Sequence, residues 1–398
     1  MEWKWKMSNI LLITSRNIYE NSGESSLVNR RNEAIYQKKN KKIDTIGITK
    51  DKFNRKKEYL EQFNCYNENL IFKYNKFNFL YKIFIFRKNL KKYLLEKKPK
   101  NIFISGFTLI FFYIDILINY KKTERVKYFY DMHGCTEEFE EYLVKNKYLG
   151  KYINKFYSKI EKKSLELCDS IFIVSNSMKE YIERKYLIFN KEYYFIPCGI
   201  DETFINRAYL RRKWRKTFGI LDNEKVFLYS GGTSKWQQID ESIKLYENEF
   251  KKLNYKMVIF SKNIEEINNI LKKMNLNKEN YIIKSLKLNE LIDALTIGDI
   301  GIMLREKTMT NLVAFPNKFS EYIKSGLLVL ASENVEEQKK IIIEYGIGKI
   351  KEKNSIEKIE IEARERLRNL EEFYKKCDQL IKDKLSYEKN VDYIKLSD

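Results

Sequence analysis

The sequence is poor in the residues that build metal sites and disulfide frameworks. Its 398 residues include one histidine and five scattered cysteines, with no C-x-x-C pair. Zinc sites need closely spaced histidine, cysteine or carboxylate ligands, so this composition excludes a zinc protein. Dispersed cysteines of odd number also favour a reducing compartment over a disulfide-stapled one. We therefore expect a cytoplasmic protein whose thiols are small buried apolar groups.

Long hydrophobic runs are missing as well. The most apolar stretch, residues 102–120, contains Gly106, Asp115 and Asn119. A bilayer span needs about twenty consecutive apolar residues. The stretch is better explained by a buried strand followed by a helix, and we predict no transmembrane helix.

Several nucleotide-binding signatures are absent. No G-x-G-x-x-G follows the first apolar strand, and the glycines of Gly231-Gly232-Thr233-Ser234-Lys235 do not have the spacing of a Walker A loop. These absences argue against dinucleotide dehydrogenases and ATPases. There is also no D-x-D motif, so we predict no divalent metal bridging a bound diphosphate.

Positive charge, in contrast, is abundant and uneven. The formal net charge is +21, and residues 1–100 hold 24 basic against 10 acidic side chains, whereas residues 301–398 hold 19 against 18. A basic first half indicates an anionic partner there, either a membrane surface or a nucleic acid, unless the charge is merely solvated. No zinc finger, RNP-like aromatic box or helix-turn-helix pattern accompanies it, so we predict no nucleic-acid partner.

Apolar strand-like segments alternate with helical ones along both halves of the chain. This alternation predicts an α/β fold of two doubly wound, Rossmann-like domains, joined near Gly199-Ile200-Asp201, with a charged amphipathic helix over residues 361–398. Predicted strands are 9–14, 42–48, 101–105, 126–131, 170–174, 193–197, 225–229, 256–260, 281–284, 300–304 and 327–331; predicted helices include 27–38, 240–252, 264–274, 289–296 and 317–325.

The segment Asp299–Ser332 concentrates polar groups at one strand-to-helix loop. Arg305 follows a predicted strand, and Lys318 and Glu321 lie in the first turns of the next helix. Ligands of parallel α/β sheets bind at such loops, and a cation, a helix N-terminus and a carboxylate suit a phosphate joined to a ribose. The ligand class this predicts is a nucleotide-sugar.

Glycine turns at two other strand-to-helix loops could approach the same ligand. They contain Gly23 and Gly231-Gly232, and each fits phosphate binding and simple turn formation equally well.

Five motifs in order resemble the family 4 retaining glycosyltransferases over nearly the whole chain. The resemblance implies a GT-B fold, in which two Rossmann-like domains face each other across a cleft and a C-terminal helix packs back on the first domain. The motifs are YDMHG (130–134), IVSNSM (173–178), IPCGID (196–201) with Phe204, YSGG (229–232) and PNKFSEYIKSG (316–326).

By this resemblance, residues 1–200 bind a glycan or lipid-linked acceptor, residues 201–375 bind a nucleotide-diphosphate sugar, and residues 376–398 return to the first domain. The implied reaction is sugar transfer with retention, and the missing D-x-D motif makes it metal-independent. We expect a hexose-type donor and a role in bacterial surface polysaccharide synthesis. No cofactor is expected besides the donor substrate. The basic first domain would let a cytoplasmic enzyme rest on anionic headgroups of the membrane's inner face.

The resemblance also assigns roles to single residues. Glu321 matches the second glutamate of the family's E-x7-E motif and would bind the ribose. His133, the sole histidine, matches the catalytic histidine beside the donor sugar, where it would stabilise developing charge. Because the family's usual Arg and Lys are not reproduced, Lys235, Arg305 and Lys318 could share the diphosphate instead. Arg305 could equally pair with Glu306, and Lys235 could be a solvent-facing loop lysine.

Some assignments remain open from sequence alone. Glu137 and Glu138 could face the acceptor or be surface charges. Val313 replaces the first glutamate of E-x7-E, and Lys235-Trp236-Gln237-Gln238 replaces the family's usual Arg and Lys after the glycine turn. Alternatives are a nucleotide-sugar epimerase of similar shape, a basic nucleic-acid-binding protein and a glycosyltransferase-like scaffold without turnover.

Overall fold

A computed structural model describes residues 9–19, 23–50, 57–106, 108–274, 276, 278–352 and 355–397. The chain forms two compact units, Met1–Pro197 with Tyr387–Asp398, and Cys198–Ser386. Among the described residues, no helix has the length and apolarity needed to cross a membrane. Each unit is built around one parallel sheet, which confirms the predicted α/β class.

The first unit holds a seven-stranded parallel sheet in the order β3-β2-β1-β4-β5-β6-β7. The run ILLI at the start of β1 is completely buried because helices cover both faces of the sheet. Its strands are β1 Ile10–Thr14, β2 Ile43–Lys50, β3 Tyr66–Tyr74, β4 Asn101–Ser105, β5 Lys127–Asp131, β6 Ser170–Ile173 and β7 Glu192–Phe195; its helices are α1 Gly23–Lys39, α2 Lys57–Leu60, α3 Phe79–Lys97, α4 Ile114–Thr123, α5 Lys147–Leu167 and α6 Asn176–Tyr186.

The second unit holds a six-stranded parallel sheet in the order β10-β9-β8-β11-β12-β13. Its strands are β8 Lys225–Ser230, β9 Tyr255–Phe260, β10 Tyr281–Lys284, β11 Ile300–Met303, β12 Leu328–Ala331 and β13 Gly348–Ile350; its helices are α7 Arg207–Phe218, α8 Ile239–Leu245, α9 Ile264–Lys273, α10 Leu288–Leu295, α11 Met309–Val313, α12 Asn317–Ser325, α13 Glu336–Tyr345, α14 Ser355–Arg368 and α15 Leu370–Leu380.

The C-terminal segment is not the continuous helix that the sequence predicts over residues 361–398. Asn369 interrupts it, since its side chain accepts the Glu372 backbone N–H at 3.4 Å and starts α15 as a new helix. A π-helical turn, Ile381–Leu385, precedes the last helix, α16 Tyr387–Asp392. Of the predicted apolar positions, Tyr393 is exposed, whereas Phe373, Leu380, Ile381, Leu385 and Tyr387 are buried.

The return to the first unit starts later than position 376. Helix α15 packs against α12 within the second unit, whereas α16 packs against α1 and β7. Asn101 and Ser397 exchange two hydrogen bonds of 2.9 and 2.8 Å, which fix the last described residue to the start of β4.

Candidate functional site

The second sheet reverses its direction of winding between β8 and β11, the central strands of the order given above. Connections leave these two strands toward opposite edges, so their carboxyl ends border an open crevice, where parallel α/β sheets bind ligands. Gly231 follows β8, and Arg305 follows β11 by two residues. The topology thus brings together two of the sequence-predicted site residues.

The Gly231-Gly232 turn is a close approach that only glycine allows. Gly231 has φ +150°, and a Cβ on it would lie 2.3 Å from Gln237 Oε1 and 3.0 Å from Lys318 Nζ. The turn is fixed by the Gly232 N–H, which donates to Gln237 Oε1 at 3.1 Å, and by the Tyr229 hydroxyl, which donates to the Gly232 carbonyl at 2.7 Å. The absent side chain leaves room for the ammonium group beneath the turn.

Lys318 is a buried lysine in the first turn of α12. The residue is 7 % exposed, and its Nζ lies 4.3 Å from the centre of the Tyr229 ring. Burial lowers the pKa of Lys318 well below its ordinary value, the charge of Arg305 lowers it further, and Glu321 opposes both. In the part of the chain that the structure describes, no carboxylate lies within 4 Å of this ammonium group. The positive helix N-terminus adds to the local positive potential.

Arg305 is fixed after the end of β11 through its own backbone and side chain. Its N–H donates to Ser332 Oγ at 2.8 Å, its carbonyl accepts from Asn334 Nδ2 at 2.9 Å, and its Nη1 donates to the Trp236 carbonyl at 2.8 Å. The guanidinium is therefore a buried, oriented group whose charge acts on Lys318. Two fixed cations at a helix N-terminus form a site that suits an anion of more than one charge.

The remaining predicted donor residues differ in exposure. Glu321 is half-buried, one helical turn beyond Lys318. Lys235 is exposed at the start of the 3-10 turn Lys235–Gln237. Val313 is fully buried at the end of α11, so this position offers an apolar side chain to the core and no polar contact to a ligand.

In the first unit, the sole histidine lies beside a buried ion pair. His133 Nε2 lies 2.7 Å from Asp131 Oδ1, and the guanidinium of Arg31 contacts both oxygens of the same carboxylate, with Nη2 at 2.5 Å from Oδ2. Burial by itself raises the pKa of Asp131, but Arg31 and His133 outweigh it and hold that pKa below its ordinary value. Asp131 ends β5, so the ion pair fixes the imidazole at the carboxyl edge of the first sheet.

The two predicted acceptor-side glutamates have different surroundings. Glu137 accepts a hydrogen bond from the Tyr181 hydroxyl at 2.6 Å and pairs with Lys185 Nζ at 2.7 Å. Glu138 lies next to Gly134, and its pKa is raised by burial and by the charge of Glu24, against the opposing effect of Arg16. Glu138 is thus the more available of the two to a ligand.

Gly23 is the first residue of α1, and the ion pair between Arg16 and Glu24 joins the end of β1 to this helix. Gly106, which follows β4, has φ +89°, and a Cβ there would lie 2.3 Å from Ser15 Oγ. These close contacts lie where the first sheet reverses, between β1 and β4.

Comparison with known families now adds to this geometry. The family described as Glycosyltransferase Family 4 matches residues 54–204, and the family described as Glycosyl transferases group 1 matches residues 211–390. The chain is a family 4-like glycosyltransferase. No curated protein sequence matches it.

Solved structures resemble this glycosyltransferase over nearly its full length. A glycosyltransferase from Rickettsia africae has a TM-score of 0.67 at 13 % identity, with 97 % of this chain and 96 % of that one covered. WaaG, a glycosyltransferase of lipopolysaccharide biosynthesis, has 0.66 at 11 %, covering 97 % and 99 %. HepE of Anabaena, solved with UDP-glucose, has 0.63 at 10 %, covering 96 % and 97 %. At these identities the likeness shows the fold, which confirms the GT-B prediction.

The geometry of this glycosyltransferase also includes residues that sequence reasoning did not select. Arg31 lies 100 positions from Asp131, and no motif links the two. Gln237 fixes the glycine turn, and the Trp236 carbonyl fixes Arg305. Both residues lie in the segment that departs from the family pattern. Within the described residues, no group of three or more histidine, cysteine or acidic side chains could hold a metal ion. Metal-independent transfer remains a prediction.

Proposed function

We propose that this glycosyltransferase moves a hexose-type sugar from a nucleoside diphosphate to a glycan or lipid-linked acceptor, with retention and without a divalent metal. The single observation that carries the proposal is Lys318. Its side chain is buried, and burial and the charge of Arg305 together outweigh the effect of Glu321 on its pKa. Removing a charge from water costs several kcal/mol unless a counter-charge is present. A diphosphate supplies that counter-charge.

The second unit would hold the donor through a few fixed groups. Lys318, Arg305 and the N-terminus of α12 would neutralise the diphosphate, and the bare Gly231 backbone would let it approach. Glu321, one turn further along α12, would accept hydrogen bonds from the ribose hydroxyls. Lys235, which is exposed, would contact the outer phosphate.

In the proposed reaction, the bond between the anomeric carbon and the leaving phosphate oxygen breaks, and its electron pair leaves with the nucleoside diphosphate. The acceptor oxygen bonds to the same face of the sugar, and its proton passes to the leaving phosphate. Lys318 and Arg305 stabilise the charge that develops on the phosphate. His133, oriented by Asp131, donates a hydrogen bond to the donor sugar.

Two of the similar solved structures support the proposed donor and the proposed biosynthetic role. HepE was solved with UDP-glucose, and WaaG acts in lipopolysaccharide biosynthesis. We accordingly propose a UDP-sugar donor and a role in bacterial surface polysaccharide synthesis, at the cytoplasmic face of the membrane. The excess of basic residues in the first hundred positions supports the membrane setting.

A thermal-shift screen against UDP-, GDP-, dTDP- and CMP-sugars tests donor binding. A ligand at about 100 times its dissociation constant adds about 2.7 kcal/mol to the free energy of unfolding, which is readily measured. The donor found in this way is then incubated with the enzyme and a glycan acceptor. Release of nucleoside diphosphate with an extended acceptor supports transfer, whereas an isomerised donor with no transfer product would establish an epimerase.

A nucleic-acid-binding function predicts a different result. Phosphate contacts to nucleic acid weaken steeply with salt, so specific binding that persists at about 0.3 M salt would be a strong sign of it. Such binding, together with no thermal shift from any nucleotide-sugar, would overturn the transferase proposal.

A further inference from the structure

Helix α3 carries large apolar side chains on its solvent side as well as on its buried side. The buried side, which packs on β2 and β3, has Ile83, Phe86, Leu90 and Leu94. A surface helix of a globular protein normally has polar residues on its outer face. Here the outer face of the first half of the helix is apolar: Leu80 is 76 % exposed, Tyr81 64 % and Phe84 66 %. Phe77, two residues before the helix, is 100 % exposed.

The solvent face of α5 combines an aromatic row with a basic row. Tyr148, Tyr152 and Phe156 are spaced by four residues and are 85 %, 73 % and 44 % exposed. Spacing by four places side chains on one side of a helix. A row of five exposed lysines, also spaced by four residues, runs beside the aromatic row. Its members are Lys147, Lys151, Lys155, Lys159 and Lys163.

An aromatic turn links the start of α3 to α5 through ring contacts. Phe111 is 51 % exposed, and its ring centre lies 5.8 Å from that of Phe156 on α5 and 5.5 Å from that of Phe112. Phe112 in turn lies 5.4 Å from Phe79 at the start of α3. The exposed aromatic residues of α3 and α5 therefore belong to the same part of the first unit.

We define the apolar-basic face by these exposed residues and the lysine row. It comprises Phe77, Leu80, Tyr81, Phe84, Phe111, Tyr148, Tyr152 and Phe156 together with Lys147, Lys151, Lys155, Lys159 and Lys163.

The charges of the apolar-basic face select its partner. Like charges four residues apart in a helix repel each other, so the lysine row is unfavourable unless an anionic surface lies against it. Glu140, which approaches Lys151 to 4.0 Å, is the acidic residue paired with this row in the described part of the chain. A second copy of the chain would bring lysines against lysines. A bilayer offers both an apolar interior and anionic headgroups.

We propose that the apolar-basic face docks on an anionic lipid bilayer, with its aromatic side chains at the boundary between headgroups and acyl chains and its lysine row over the headgroups. This inference rests on the proposed function, because a lipid-linked acceptor would lie in that bilayer. It names the surface of the first unit that meets the membrane.

Co-sedimentation with vesicles tests this docking. The full-length enzyme is mixed with phosphatidylcholine vesicles that contain about 30 mol% phosphatidylglycerol, or none, at about 0.1 M salt. We expect binding to the anionic vesicles that weakens as salt rises. The combined change Lys151→Gln, Lys155→Gln and Lys159→Gln should lower the affinity on the order of 100-fold. The pair Leu80→Ser and Phe84→Ser should lower it by at least about 10-fold.

Matched controls come from the second unit. Leu221→Ser with Ile343→Ser removes two apolar side chains that are 64 % and 67 % exposed, and the combined change Lys244→Gln, Lys272→Gln and Lys273→Gln removes three exposed lysines. Both controls should bind vesicles like the unaltered enzyme. Equal vesicle binding by the face variants and the controls would overturn the proposal. If the enzyme does not bind vesicles but associates with itself, or binds an acidic protein, through this face, the proposal is overturned as well.

A second measurement does not depend on loss of binding. Phe84→Trp places an indole on the apolar-basic face, and its fluorescence should be quenched by brominated acyl chains in anionic vesicles, whereas that of Phe204→Trp should not. Absence of quenching at Phe84 would contradict insertion.

The donor thermal shift separates the two proposals. A normal donor shift without vesicle binding overturns the docking alone, and vesicle binding without any donor shift overturns the proposed function.

Discussion

The ammonium group of Lys318 lies 4.3 Å from the centre of the Tyr229 ring. An aromatic face stabilises a desolvated cation by about 2 kcal/mol, less than the several kcal/mol that burial of the charge costs. The difference is a local instability that a bound anion can relieve. Donor affinity and stability are therefore opposed at this residue.

Replacing Lys318 with Met should change stability and activity in opposite directions. The apolar side chain removes a buried charge, so we expect the free energy of unfolding to rise by about 1 kcal/mol. Loss of a charge-assisted contact should lower kcat/KM for transfer about 100-fold and abolish the donor thermal shift. Urea unfolding and a transfer assay check both, with the exposed Lys244→Met as control. Unchanged transfer would remove Lys318 from the donor site.

Substitutions of His133 and Glu321 should affect different measurements, kcat in the first case and donor binding in the second. His133→Ala is expected to lower kcat by at least about 100-fold while the donor thermal shift persists, because the imidazole acts on the sugar and not on the nucleotide. Glu321→Ala should instead weaken the donor shift, since the ribose loses its acceptor. Transfer at the original rate in both variants would refute both assignments.

Adding one methyl group at Gly231 should be far more harmful than at Gly232. At Gly231 the new Cβ would meet Gln237 Oε1 at 2.3 Å in a backbone of φ +150°, whereas at Gly232 its nearest contact is an ordinary 3.4 Å. We expect Gly231→Ala to lower the free energy of unfolding by about 1 to 3 kcal/mol and Gly232→Ala by less than about 1 kcal/mol. Thermal unfolding of the pair measures this, and equal losses would contradict the described turn.

Asp131→Asn should be strongly destabilising because it leaves the buried Arg31 without its counter-ion. Breaking a buried pair in this way typically costs about 3 to 5 kcal/mol. Asp169→Asn, in a partly exposed pair with Lys121, is the control and should cost less than about 1 kcal/mol. Urea unfolding at neutral pH compares the two.

The pH dependence of Asp131 follows from its lowered pKa. The carboxylate stabilises the fold fully above its unfolded pKa near 3.8, and this contribution is lost as the pH falls through the lower folded value. Asp131→Asn should lack this component of acid destabilisation. A wild-type acid profile that the substitution leaves unchanged would argue against the ion pair.

Glu161 on α5 should make the fold less stable as the pH rises. Burial raises the pKa of Glu161 to about 7. The Tyr186 hydroxyl, which donates to the carboxylate at 2.5 Å, and the charge of Lys185 both lower this pKa, but burial outweighs them. The folded state then keeps a proton that the unfolded chain releases near pH 4.5, so the free energy of unfolding falls between pH 4.5 and 7.

Glu161→Gln should remove this fall, and the gain in stability should be about 2 kcal/mol at pH 8 and much smaller at pH 5. Urea unfolding at both values, with the exposed Glu166→Gln as control, measures it. An equal effect at the two pH values would disprove the raised pKa.

The elements that sequence periodicity located are those with continuous apolar runs. The missed strands lack this signal: β3, with the sequence YNENLIFKY, is a half-exposed edge strand, and β13 has three residues. The interruption at Asn369 was also missed, because an asparagine inside a charged amphipathic stretch is compatible with either a helix interior or a cap.

At the candidate site, sequence order was enough to predict that Arg305 and Lys318 share one loop region, because both lie in the connection between the central strand β11 and β12. The bond of Arg305 to the Trp236 carbonyl and the pairing of Arg31 with Asp131 were not predictable, since they join residues 69 and 100 positions apart without a motif. Such contacts depend on tertiary packing that local patterns do not encode.

The last helix has a consequence for how the protein is made. Because α16 packs on α1, and Ser397 bonds to Asn101 at the start of β4, the first unit receives this piece only after the whole second unit has been translated. A fragment that stops at Pro197 lacks this piece and exposes the apolar surface it covers. During translation the second unit can therefore complete its fold before the first unit does, although most residues of the first unit are translated earlier. Deletion of α16 will therefore destabilise the N-terminal half of the chain.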